Sequence, residues 1–185
     1  MKKNSIILML AMLFSACESK SQTMDSTKFK AEKQTRTASV ILNEKIGKVF
    51  PLFGAFEERK WATGWNPTLI YPATETIEEG TTFKTNGHGH GEKQFLWIVS
   101  KYAAEKFLIQ YLVSSENRYW TITIKCYSMI ENKTTAEITY TFIGLNELGN
   151  KINEQAIQHM YKNNLKDWEE EINYYLLYGK AKPNE

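Results

Sequence analysis

Two short stretches carry the side chains best suited to chemistry. Glu57, Glu58 and Arg59 stand beside Trp61 and Trp65, so a carboxylate here sits among aromatic rings. Desolvation there would raise its pKa and fit it for general acid or base work; the plainer alternative is a salt-bridged surface turn. The second stretch, Asn86 to Gly91, is a glycine-rich hairpin tip holding His88 and His90, with Glu92 next to it. Ligands two apart on a strand share a face, which is the geometry a metal needs, but flanking glycines favour a solvated tip. No metal or other cofactor is expected. His159 falls on the side of a C-terminal helix opposite Trp168, as a surface residue or a polar group at a cavity mouth. The chain shows no serine or cysteine nucleophile arrangement and no phosphate-binding glycine loop, and catalytic residues are assigned to none.

A third group is larger. Trp61, Trp65, Tyr71, Trp97, Tyr111, Trp120, Tyr140 and Trp168 combine large apolar areas with polar handles that need partners. Part of this set must be core. Several of the remainder together could orient an amphiphilic or aromatic ligand, and Trp61, Trp65, Tyr71, Trp97, Tyr111, Tyr140 and Trp168 are the candidates for such a site.

The elements that position these residues follow from periodicity. Thr35 to Asn43 alternates and then turns apolar, as a strand would, and Glu44 to Phe53 has helical spacing interrupted by Pro51, predicting a kink or two short helices. Thr68 to Ile77 and Thr81 to Thr85 read as strands, the first marked by Pro72 as an edge or bulge. Four clear strands follow, with Phe95, Trp97 and Val99 on one face, then Phe107, Ile109, Tyr111 and Val113, then Trp120, Ile122, Ile124 and Cys126, then Ile138, Tyr140 and Phe142. Short connections make them antiparallel neighbours.

From Asn146, a plausible cap, to Lys180, the residues Ile157, Tyr161, Leu165, Trp168, Ile172, Tyr175 and Leu176 fall on one helical face. A helix of about 25 to 30 residues spans roughly 40 Å, long enough to lie across a curved sheet. Leu148 and Ile152 sit about 180° from that face, which leaves either a separate first helix, weak at Gly149, or a second buried patch. The expected fold class is α+β: about seven antiparallel strands, two short helices and one long C-terminal helix packed across the sheet.

The chain has 185 residues, room for one domain and a leader. Lys2 and Lys3 precede an apolar run, Ile6 to Phe14, too short to span a bilayer, and Phe14-Ser15-Ala16-Cys17 resembles a bacterial lipobox. The alternative is an ordinary secretory signal with an incidental cysteine. The lipobox reading implies cleavage after residue 16, a lipid anchor on Cys17 and a place at the cell envelope, with Glu18 favouring the outer membrane. Residues 17–34 read as a flexible tether, 35–180 as the domain and 181–185 as a disordered tail. Without Lys2 and Lys3 the chain carries 21 basic and 21 acidic residues, a balance that argues against a nucleic-acid partner. Cys126 would then be the remaining cysteine, read as a small buried hydrophobe.

The order of elements resembles the SRPBCC, or START-like, helix-grip superfamily over about Thr35 to Leu177. Trp61-x-x-Gly64-Trp65-x-Pro67 leading into Tyr71-Pro72 is similar to the polyketide cyclase/dehydrase-like branch. Further points of likeness are Gly80-Thr81-x-Phe83, Leu96-Trp97-Ile98-Val99 with Tyr102, and Thr139-Tyr140-Thr141 before Leu145-x-x-x-Gly149-Asn150, with Met160 and Trp168 in the helix. The resemblance implies a sheet gripping the long helix around an apolar cavity that binds hydrophobic small molecules or lipids. That superfamily spans carriers, receptors and cyclases, so three readings stand: a ligand-binding domain, a cyclase or dehydratase, or a pocketless interaction module.

Overall fold

The computed structural model describes residues 28–89 and 91–183, apart from the side chains at 88 and 89. The leader, the Cys17 anchor and the histidine side chains of the hairpin tip lie outside the described residues, as does most of the tether.

Seven strands form one curved antiparallel sheet: β1 (Lys33–Leu42), β2 (Thr68–Tyr71), β3 (Thr82–Gly89), β4 (Glu92–Ala103), β5 (Leu108–Ser114), β6 (Arg118–Ser128) and β7 (Thr134–Gly144). Their spatial order is β1-β7-β6-β5-β4-β3-β2, so every neighbour is a hairpin partner except β1, which closes the far edge against β7. Alternation assigns the faces. Phe95, Trp97, Val99, Ile109, Tyr111, Val113, Trp120, Ile122, Ile124, Ala136, Ile138, Tyr140 and Phe142 are buried on the concave side. The opposite face carries hydroxyls: Thr37 pairs with Thr139 at 2.8 Å and Thr35 with Thr141 at 3.1 Å.

Between β1 and β2 the chain makes a single α-turn, α1 (Ile46–Val49), which passes at Pro51 into a 3-10 turn, Phe50–Phe53. A second 3-10 turn, Glu57–Lys60, follows. This segment closes one end of the sheet through the buried Val49, Leu52, Phe53 and Trp61, while Glu57–Lys60 itself has no fully buried residue.

The C-terminal segment is two helices, α2 (Glu147–Met160) and α3 (Lys166–Tyr178), where the sequence suggested one. The break does not fall at Gly149. It falls at 161–165, where Asn164 and Leu165 take left-handed backbone angles of φ +50° and +57°. Asparagine tolerates that conformation; Leu165 does not favour it, and its fully buried side chain holds it there. Asn146 caps α2 as expected, accepting from the Gly149 amide at 2.8 Å. Of the expected tail, Lys182 accepts a hydrogen bond from the Thr63 hydroxyl and pairs with Glu170.

Cys126 is buried on the concave face, and burial pushes its thiol up to about 12, a thiol with no thiolate character at neutral pH.

Candidate functional site

The concave face and the helices enclose a cavity of about 720 Å³. Its floor is built by cross-strand register. Trp97, Val113, Trp120 and Phe142 form one transverse row, and Val99, Tyr111, Ile122 and Tyr140 the next. Within the floor the rings interlock: Phe83 stacks on Trp97 at 5.5 Å, Tyr140 on Phe142 at 5.6 Å, and Phe95 meets Trp120 edge-on at 5.2 Å.

The roof is α2. Ile152, Gln155, Ala156, His159 and Met160 occupy positions i, i+3, i+4, i+7 and i+8, one stripe turned to the cavity. An unbroken helix would carry this stripe away from the Trp168 face. The break after Met160 reorients α3, so that both Ile152 and Trp168 line the same space. His159 therefore sits at the rim, exposed on one side and facing the cavity on the other. Leu148 stays exposed.

Trp65, Trp97, Tyr111, Tyr140 and Trp168 are brought together around this cavity. Three of the five polar handles are accounted for. The Trp65 indole donates to the Ala55 carbonyl at 2.5 Å, Trp97 to the Thr85 hydroxyl at 3.0 Å, and the Tyr111 hydroxyl to the Phe53 carbonyl at 2.7 Å. The Tyr140 hydroxyl makes no side-chain hydrogen bond among the described residues.

Two of the seven candidates lie elsewhere. Trp61 is buried behind the wall: its indole donates to Leu52 at 2.8 Å and its ring backs Trp168. Tyr71 is 55 % exposed, because the β2–β3 register shifts between Leu69 and Tyr71 at the sheet edge and carries the ring outward.

Acidic residues divide in the same way. Glu57 pairs with Lys60 at the surface. Arg59 holds Glu75 bidentately at 2.8 and 2.9 Å. Glu58 faces the cavity with no hydrogen-bond partner for its carboxyl among the described residues. Burial, and secondly the like charge of Glu171, push its pKa up to about 8, so it is largely a neutral acid at pH 7. Burial and the nearby Glu58 also raise the phenols of Tyr111 and Tyr140 well above their usual range.

At the other end of the floor lies Arg118. Ile122 lies four positions further along the strand, about 13 Å away. Its guanidinium lies 4.7 Å from the Trp120 ring centroid and holds Glu92 through contacts of 2.7, 2.9 and 3.2 Å. Ser115 donates to the same carboxylate at 2.5 Å. Glu92 is thus a buried ion-pair partner, which removes it from the candidate metal set with His88 and His90. Among the described residues no three His, Cys, Asp or Glu side chains converge.

Arg118, Trp120, Phe83, Phe95, Phe142 and the α2 stripe apart from His159 also line the cavity and were not among the sequence candidates for it. The phenylalanines shared faces with residues already singled out. The stripe was hidden by the assumption of one straight helix. A cavity of this size is also incompatible with the pocketless interaction module.

No protein-family model matches the chain, and a search of curated proteins returned no match. Solved structures do match. A point mutant of norcoclaurine synthase from Thalictrum flavum, in complex with a transition-state analogue, is 11 % identical with a TM-score of 0.60, covering 81 % of this chain and 98 % of that one. Ara h 8.0201 is 12 % identical with a TM-score of 0.57, covering 79 % and 99 %. A protein of Nitrosospira multiformis is 16 % identical with a TM-score of 0.56, covering 75 % and 96 %. At these identities the likeness concerns the fold alone, a curved antiparallel sheet in a helix-grip arrangement.

Proposed function

We propose that this chain binds a hydrophobic or amphiphilic small molecule, lipid-like or aromatic, inside the helix-grip cavity. The observation that carries the reading is the cavity of about 720 Å³, a volume in the range of small-molecule sites, walled by aromatic rings with few polar groups. The lipobox at Cys17 adds that it does so as a lipoprotein anchored at the bacterial cell envelope, with the tether spacing the domain from the membrane. Native mass spectrometry of the chain from residue 23 onward, followed by solvent extraction, tests the binding. A co-purifying hydrophobic mass is the expected result; a clean apo mass, with no thermal shift across lipid and aromatic panels, would overturn it. Incorporation of labelled palmitate that Cys17→Ser abolishes tests the anchor.

A second reading is favoured by Glu58 alone. A neutral carboxylic acid held without a partner in an apolar cavity suits a general acid, as a cyclase or dehydratase of the polyketide cyclase/dehydrase-like branch would need. Turnover of a polyketide-like substrate that survives Glu58→Gln with an unaltered pH–rate profile would remove that role.

A further inference from the structure

The charges around the cavity do not balance at both ends, and this bears on what the cavity accepts. Arg118 is the basic side chain on the floor, and its charge is already met by Glu92, which is itself buried and held by Ser115. An incoming carboxylate would find no free cation there and would add an unpaired charge to a buried neutral pair. Glu58 differs. Its carboxyl opens on the cavity and accepts from no protein donor among the described residues, and the charge acting on it is another acid, Glu171. It shares the wall with the rings of Trp65, Tyr111, Tyr140 and Trp168 and with the unpartnered Tyr140 hydroxyl. A carboxylate combined with several aromatic faces and a hydroxyl acceptor is the environment that stabilises a desolvated ammonium.

We propose that the cavity selects a ligand with an apolar or aromatic body and an amine, the ammonium resting between Glu58 and these aromatic faces while the body fills the floor toward Trp120 and Phe142. The proposal rests on the ligand-binding reading above and adds the ligand's charge. Proton balance is simple. A neutral amine entering beside the protonated Glu58 takes its proton and leaves an ammonium–carboxylate pair; an amine that arrives protonated releases the Glu58 proton to solvent.

The test uses three probes with one naphthyl body: 2-(2-naphthyl)ethylamine, 2-(2-naphthyl)ethanol and 2-naphthylacetate, titrated calorimetrically into purified protein and into Glu58→Gln. Glutamine keeps the size of the protonated acid. The amine should bind the wild type at least about tenfold more tightly than the alcohol, with the carboxylate weakest, and Glu58→Gln should erase the amine preference while changing the alcohol less than about threefold. Alcohol or carboxylate binding as tightly as amine would overturn the amine class and leave a ligand cavity standing. An amine preference that persists in Glu58→Gln would overturn the role of Glu58. If none of the three binds, the amine proposal is overturned, while the ligand-binding reading is decided by the mass spectrum and the lipid panel above.

Discussion

Trp61 stands edge-on to Trp168, ring centroids 5.5 Å apart, and joins the turn after Glu57–Lys60 to the first turn of α3. Trp61 is fully buried and Trp168 lines the cavity, so the first sets the pose of the second. Trp61→Phe removes the indole donor to Leu52 and part of the ring pair. The expected loss is about 2–3 kcal/mol, read as a fall of about 5–10 °C in Tm. Ligand affinity should fall with it, because Trp168 loses its backing. Unchanged melting would mean that the pair is incidental.

Arg118 and Glu92 form the buried pair that ties the starts of β4 and β6 together, and Asn153 from α2 accepts from the same guanidinium at 3.5 Å. Removing one partner leaves a buried charge alone. Glu92→Met or Arg118→Met should each cost about 3–5 kcal/mol in urea denaturation, and the double variant should cost clearly less than the two together. Additive losses would show that the two residues do not act as a pair.

Gly149 reverses a common expectation. In a helix interior, alanine normally gains about 1 kcal/mol over glycine. Here an added Cβ would lie 1.9 Å from the Asn117 carbonyl oxygen, which itself accepts from the Leu145 amide. Backbone, not a movable side chain, blocks the space. Gly149→Ala should therefore destabilise the protein by about 2–4 kcal/mol through displacement of α2 from the β5–β6 turn, and thermal melts would show it directly. A stabilised variant would place α2 farther from that turn.

The strands and their buried faces were legible because a period of two leaves little room for error: Trp97, Tyr111 and Tyr140 face inward as the alternation has them. Pro51 marked the junction between α1 and the following turn for a similarly local reason. What escaped depends on non-local geometry. The break at 161–165 carries neither glycine nor proline, so a continuous apolar stripe concealed two differently oriented helices. Tyr71 turned outward through a register shift that pairing with β3 creates. Arg118 meets Glu92 across 26 residues because β5 lies between β4 and β6, and nothing in either local sequence announces that encounter.

Glu58 gives the cavity a pH signature that can be read from stability alone. The carboxyl has an ordinary value of 4.5 and is pushed to about 8 in the folded chain, first by burial and then by Glu171; Tyr111 and Tyr140 also face it. Between those values the folded protein keeps a proton that the unfolded chain has lost. Stability therefore falls as pH rises through that window, and is flat with respect to this group below and above it. Water reaching the cavity screens part of the charge, which leaves an expected loss of about 1–2 kcal/mol by pH 8.5. Glu58→Gln has no proton to lose. Its denaturation curve should match the wild type near pH 4.5 and lie above it by that amount at pH 8.5. Overlapping curves across the whole range would mean that Glu58 is ionised and well solvated in the free protein. A buried neutral acid would then no longer be part of the cavity, and the general-acid reading would lose its basis.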